Sequence, residues 1–144
     1  MRVVVNRRRS IALWAGLVLA LVGCATAGVP LDDLFPPQVG EFLRTGGPSP
    51  DPATSVDWAI YQGPEGAVTL RIKRVGRSQI EHALSELPPM ATGVGYDPAL
   101  GQREGVFFTF ASEYHAAWGN GDWVFILSAS TEAARAAFLA AYGF

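Results

Sequence analysis

The sequence predicts an α+β domain: an antiparallel sheet of about five or six strands with two helices, in the order β-ββ-α-β-ββ-α. Three observations lead there. Residues 67–75, AVTLRIKRV, alternate, with Val68, Leu70 and Ile72 on one side and Thr69, Arg71 and Lys73 on the other, the period of a half-buried strand. Ile80, Ala83, Leu84 and Leu87 recur at i, i+3, i+4 and i+7, the stripe of an amphipathic helix. Asn120-Gly121 separates two further strand-like runs, and Asn-Gly in that setting is the strongest short hairpin signal.

The elements follow in order. Leu31, Leu34 and Phe35 flank Asp32-Asp33 in a pattern that suits a turn docking onto the domain. VGEFLR (39–44) has strand character, and TGGPSPDPATS (45–55) should interrupt it, because proline and glycine fill the stretch. VDWAIYQ (56–62) alternates and leads into Gly63-Pro64-Glu65-Gly66, a tight-turn composition before the 67–75 strand. Ser78 with Glu81 three residues on reads as a capping box, and Pro88-Pro89 ends that helix. Residues 88–105 then form a connection longer than the roughly 12–15 residues usual for a structureless loop. EGVFFTFAS and YHAAWGNGDWVFILS supply the last strands. A two-residue loop at 120–121 pairs Trp118 with Trp123. It sets Trp118, Trp123, Phe125 and Leu127 on one face and His115, Ala117, Val124 and Ile126 on the other. STEAARAAFLAAYGF closes the chain as a helix capped by Ser130, with Ala134, Ala137, Phe138 and Ala141 as its stripe and Gly143 as its stop.

The N-terminus is not part of that domain. MRVVVNRRRS carries four arginines and no acid, and IALWAGLVLALV is an uncharged apolar run shorter than the roughly 20 residues that span a bilayer. A basic region, a short apolar region and a small-residue boundary compose a secretory signal peptide. Arg8-Arg9-Ser10-Ile11 hints at twin-arginine export but lacks most of that motif's other positions.

At the boundary stands the chain's one cysteine, in Leu21-Val22-Gly23-Cys24. This tetrapeptide resembles the lipobox of bacterial lipoproteins. The resemblance implies diacylglycerol attachment to the Cys24 thiol and cleavage between Gly23 and Cys24. Residues 1–23 would be the signal, 24–38 a membrane-proximal tether and 39–144 the single domain. Ala25-Thr26-Ala27 offers a competing cleavage site after Ala27 that would release a secreted, soluble protein beginning at Gly28. The layout of the mature part loosely resembles small uncharacterised bacterial lipoprotein domains and, more distantly, the PsbP/Mog1-like sandwich. That likeness implies an architecture and leaves activity open.

Either cleavage leaves a domain without a usable thiol, so disulfides, cysteine nucleophiles and cysteine metal sites are excluded. Loss of residues 1–23 removes four of the 11 basic residues and none of the 13 acidic ones, leaving seven against 13 and a formal charge of −6. Such a domain is a poor partner for nucleic acid, and acyl chains rather than a basic face must hold it at an anionic membrane. The implied location is extracytoplasmic, on a bacterial membrane.

No strong catalytic motif emerges. No serine sits in a nucleophile elbow. Gly93-Val94-Gly95 has neither the preceding strand nor the following helix and lysine of a phosphate loop. Asp32-Asp33 suits a turn better than a metal, no cofactor is expected, and the two histidines, His82 and His115, stand at no ligand spacing. His82 reads as a solvated helix residue. Glu113 and His115 share a strand face, so a hydrolase-like use of the pair as base and partner is conceivable. Arg71, Lys73, Arg74 and Arg77 form the one basic cluster; a solvated strand face explains it, and a small anion-binding patch is its sharper reading.

The expectation that results is a membrane-anchored, non-catalytic binding or accessory domain that takes a protein partner or a small apolar ligand. The candidate face is Phe107, His115, Ala117, Val124 and Ile126, exposed if both helices share the other side of the sheet and core if they do not. Tyr96, Asp97 and Arg103 of the 88–105 loop are candidate contacts.

Overall fold

The computed structural model describes residues 29–51, 55–86 and 105–143 in full and residues 92–96 as backbone. The lipobox, both cleavage sites, Asp97, Arg103 and Glu104 lie outside the described residues. Among those described, no helix is long and apolar enough to cross a membrane.

The domain is α+β, with an antiparallel sheet, and it has more strands than its sequence suggests. In chain order the elements are α1 (Leu31–Leu34), β1 (Gln38–Val39), β2 (Phe42–Asp51), β3 (Val56–Gly63), β4 (Gly66–Arg74), α2 (Ile80–Ser85), β5 (Thr92–Tyr96), β6 (Gly105–Phe110), β7 (Glu113–Asn120), β8 (Trp123–Ala129) and α3 (Glu132–Ala141). The sheet order is β1-β2-β3-β4-β8-β7-β6-β5. Two antiparallel meanders therefore meet at β4 and β8. The chain leaves the middle of the sheet after β4, passes through α2, re-enters at the far edge and works back.

Three departures from the expected order have physical causes. The 39–44 segment splits at Gly40, whose φ of 56° starts a turn. The Gly46-Gly47-Pro48-Ser49-Pro50 stretch does not break the sheet but lies inside β2. Register shifts between Arg44 and Gly46 and between Gly46 and Ser49 absorb it, and β1 pairs only with Phe42 and Leu43. The Arg44 N–H still donates to the Pro37 carbonyl at 2.9 Å, and beyond it no strand among the described residues pairs with the outer side of β2, the edge position that suits proline. The 88–105 connection contains β5, paired with β6 through Gly95↔Phe107 and Tyr96↔Val106. A hairpin at Ala111-Ser112 joins β6 to β7 with both residues at positive φ (51° and 64°). This is the two-residue geometry that normally selects Asn and Gly.

Smaller corrections concern caps and turns. Ser78 does not cap a helix. Val75 and Gly76 both donate to the Asp122 carbonyl, at 2.9 and 3.1 Å, and Gly76 turns at φ 80° into a 3-10 turn over Arg77–Gln79. The α-helix therefore starts at Ile80 with Gln79 as an N-cap that makes no side-chain bond. At the other helix the cap is Thr131, one residue after Ser130: its Oγ1 accepts from the Ala134 N–H at 3.0 Å. Ser130 Oγ instead accepts from the Ala67 N–H at 3.0 Å. Thr131→Ala should cost about 1 kcal/mol, measured by denaturant unfolding.

The larger core lies between one sheet face and α1 with α3. Val68, Leu70, Ile72, Ala116, Trp118, Phe125 and Leu127 face Leu34, Phe35, Ala134, Phe138 and Tyr142, all buried. Trp118 and Phe125, directly paired across β7 and β8, stack at 5.2 Å and 7°. Phe138 meets Tyr61 at 5.0 Å and Phe42 at 5.4 Å, both edge to face, a favoured aromatic geometry.

The Tyr61 hydroxyl donates to the Pro36 carbonyl at 3.1 Å, and burial pushes its pKa from 10.0 up to about 12, against a smaller lowering by Arg44. A phenol held neutral longer in the folded state stabilises fully below pH 10, and that contribution is lost as pH rises towards about 12. Tyr61→Phe, which deletes one hydrogen bond, should cost about 1 kcal/mol at pH 7. The deficit should shrink above pH 10, as followed by urea titrations at a series of pH values.

Candidate binding cleft

Where the helices sit settles the status of the candidate face: α3 and α2 lie on opposite sides of the sheet. A second, smaller core groups Leu84 with Val106, Phe108, Ala117 and Val124, flanked by Val75, Ile80, Ala83 and Phe110. Gly119 makes this seat possible. A Cβ there would stand 2.3 Å from the Ile80 Cγ2 atom, so only a glycine lets Ile80 lie on the strand.

The seat is incomplete. Six helical residues extend only about 9 Å, roughly two strand spacings. Ala117 and Val124 are buried, whereas Ile126, two residues further along β8 from Val124, remains 37% exposed. The space between α2 and the sheet is a half-open cleft of about 270 Å³. Ala83, Leu84, Phe108, Phe110, Ala117, Val124 and Ile126 supply its apolar lining; Arg71, His115 and Ser128 are its polar lining on the sheet, with Glu86 at the end of α2.

Register brings those three polar residues together. Thr69, Ser128, His115 and Phe108 lie in one row across β4, β8, β7 and β6, and Arg71 begins the next. Ser128 Oγ lies 2.9 Å from His115 Nδ1, and His115 Nε2 lies 3.1 Å from the Phe110 carbonyl oxygen. A carbonyl can only accept, so Nε2 carries a proton, and in the neutral tautomer this leaves Nδ1 to accept from the Ser128 hydroxyl. The serine oxygen in turn accepts from Arg71 Nη1 at 3.2 Å. The imidazole stacks on Phe108 at 4.9 Å and 11°. His115 and Ser128 are only 8% and 6% exposed, so the chain of bonds satisfies two buried polar groups.

The other sequence candidates fall as follows. His115, Ala117, Val124 and Ile126 share the cleft face as expected. Phe107 does not. It pairs with Ala116 and points to the opposite side, beneath the Arg135 guanidinium at 4.7 Å. Glu113 Oε2 is 3.9 Å from His115 Nε2, beyond hydrogen-bond reach, and the Phe110 carbonyl holds that nitrogen. His82 is a surface residue paired with Glu86 at 3.4 Å. Asp32 pairs with Arg44 at 3.3 Å. Tyr96 contributes backbone to β5. The basic cluster divides: Arg71 and Lys73 face the cleft side, and Arg74 turns to Asp122 at 3.5 Å. Among the described residues, no group of three or more His, Cys, Asp or Glu could hold a metal ion.

Sequence reasoning missed Ser128, Ala83, Leu84, Glu86, Phe108 and Phe110 as lining residues. A signal existed for Ser128, the one polar interruption in the series Val124, Ile126, Ser128. No family model, curated protein or solved structure matches the chain.

Proposed function

We propose that the chain is an extracytoplasmic lipoprotein, held at the membrane through diacylglycerol on Cys24, whose domain binds a small, largely apolar ligand in the cleft beneath α2. The observation that carries the binding role is the cleft itself, a mostly apolar trough of about 270 Å³ with few polar groups, Arg71, His115 and Ser128 on the sheet and Glu86 at the end of α2. Ligand sites have this make-up, a mostly apolar lining with few placed polar groups. The lipobox sequence supports the anchor. Intact mass of the mature chain should show a diacylated N-terminal cysteine. An unmodified chain starting at Gly28 contradicts the anchor and favours the secreted form.

The binding role is tested with the full chain in lipid nanodiscs and a diazirine-bearing decanol. Peptide mass spectrometry should place adducts on residues 80–86 and 124–128. Ala83→Trp, which fills the trough, should remove them. Adducts that survive this substitution, or that spread evenly over the surface, contradict the reading.

A second reading, hydrolysis, rests on the 2.9 Å Ser128–His115 bond, the spacing of a nucleophile and its base. The leading reading expects no labelling of Ser128 by a fluorophosphonate. A stoichiometric adduct at Ser128 would transfer the function to the hydrolytic reading.

A further inference from the structure

We infer that the ligand of this cleft is a single-chain amphiphile with an anionic head, the chain lying in the apolar trough and the head on Arg71. The inference rests on the proposed binding role of the cleft and adds its chemistry.

Three observations lead to it. First, Arg71 is the uncommitted cation of the cleft. Arg44, Arg74 and Arg135 each have a carboxylate within 3.5 Å. Among the described residues Arg71 has none within ion-pair distance and gives one N–H to Ser128. A guanidinium has five N–H donors in a fixed fork, so a second edge remains for a carboxylate or phosphate, which arginine grips with two parallel bonds. Second, the arginine is aimed. Ser128, itself fixed by His115 and through it by the Phe110 carbonyl, holds Nη1 at the border between the trough and solvent. Orienting a long side chain in advance lowers the entropy lost on binding. Third, the volume accommodates one short chain. About 270 Å³ holds roughly nine water-sized groups at about 30 Å³ each. It lies just below the range of about 300–1,000 Å³ that encloses drug-sized ligands.

The charges around the trough agree. Glu86, the carboxylate of its lining, is turned to His82 at 3.4 Å. Lys73 follows Arg71 on the same strand face, opposite Val124. The mature chain is acidic overall, with seven basic against 13 acidic residues. Long-range attraction will therefore not gather anions, and selectivity for an anionic head must arise at contact range on Arg71.

Competition against the same diazirine-bearing decanol, on the full chain in nanodiscs, tests the inference. The competitors are decanoate, decyl phosphate and decanol, each at increasing concentration. Partition into lipid biases them equally in every variant, so the readout is how the anion-to-alcohol potency ratio changes on substitution. Arg71→Gln should lower that ratio at least tenfold for one or both anions while decanol competes as before. Lys73→Gln, on the same face, should leave it within twofold. Which anion loses more identifies a carboxylate or a phosphate head. A ratio unchanged by Arg71→Gln, with adducts still confined to the cleft, overturns the anionic head and leaves the cleft as a site for neutral chains. Failure of every probe to label the cleft overturns both.

Discussion

Phe138→Ala is expected to lower the stability of the domain by about 3–5 kcal/mol, the range for deleting a fully buried aromatic ring. Phe138 is completely buried and lies at the centre of a ring cluster, with Tyr61 at 5.0 Å, Phe42 at 5.4 Å and Tyr142 at 5.5 Å. Tyr61 and Phe42 come from β3 and β2, far from Phe138 in sequence, so no small local shift fills the void. A loss of this size is a large part of the about 5–15 kcal/mol that holds most domains folded. Thermal unfolding of purified variants measures it directly. A loss below 1 kcal/mol would contradict the packing of α3 described above.

Gly119→Val is expected to act on the other face and in a different way. Its side chain would claim the space of the Ile80 Cγ2 atom, 2.3 Å from where the new Cβ must stand. Ile80 is β-branched and stiff at χ1, so α2 has to lift off the strand. Overpacking of this kind costs about 1–3 kcal/mol. Its signature is local. Amide exchange should accelerate in residues 80–86 and stay unchanged in residues 132–141, and binding in the cleft should fall with it. Uniform acceleration across both helices would show instead that α2 is not an independently seated element.

The contrast between these substitutions shows how far the sequence could be read. Alternation in 67–75 and in 123–129 places Val68, Leu70, Ile72, Phe125 and Leu127 correctly, because a two-layer sheet enforces its period on every strand. The hairpin between β7 and β8 was legible in kind but not in register. Its turn is Gly121-Asp122, with Gly121 at φ 61° and Asn120 opposite Trp123, not Asn120-Gly121. That shift moves each cross-strand partner by two residues, which preserves faces and changes neighbours. With Trp118 opposite Trp123, His115 would face Ile126; with Trp118 opposite Phe125, it faces Ser128. The polar row of the cleft was therefore hidden by one turn position.

The remaining misreadings have similar local origins. The Ala111-Ser112 turn carries none of the residues that normally mark positive φ, so the β6–β7 register is not legible in the sequence, and Phe107 lies on the face opposite the one its pattern suggests. Prolines in 45–55 argue against a strand by composition, yet on an edge strand the objection weakens. Ser78 and Glu81 satisfy a capping pattern that the Val75 and Gly76 bonds to Asp122 override. In the last case a contact across the sheet decides between two conformations the local sequence permits.

The central claim is that the ligand site is the cleft beneath α2. Hydrogen exchange of the full chain in nanodiscs, with and without decanoate, tests it most directly. Exchange should slow at residues 80–86 and 124–128 and stay unchanged at residues 132–141. Protection confined to residues 132–141, or no protection at saturating decanoate, would contradict it.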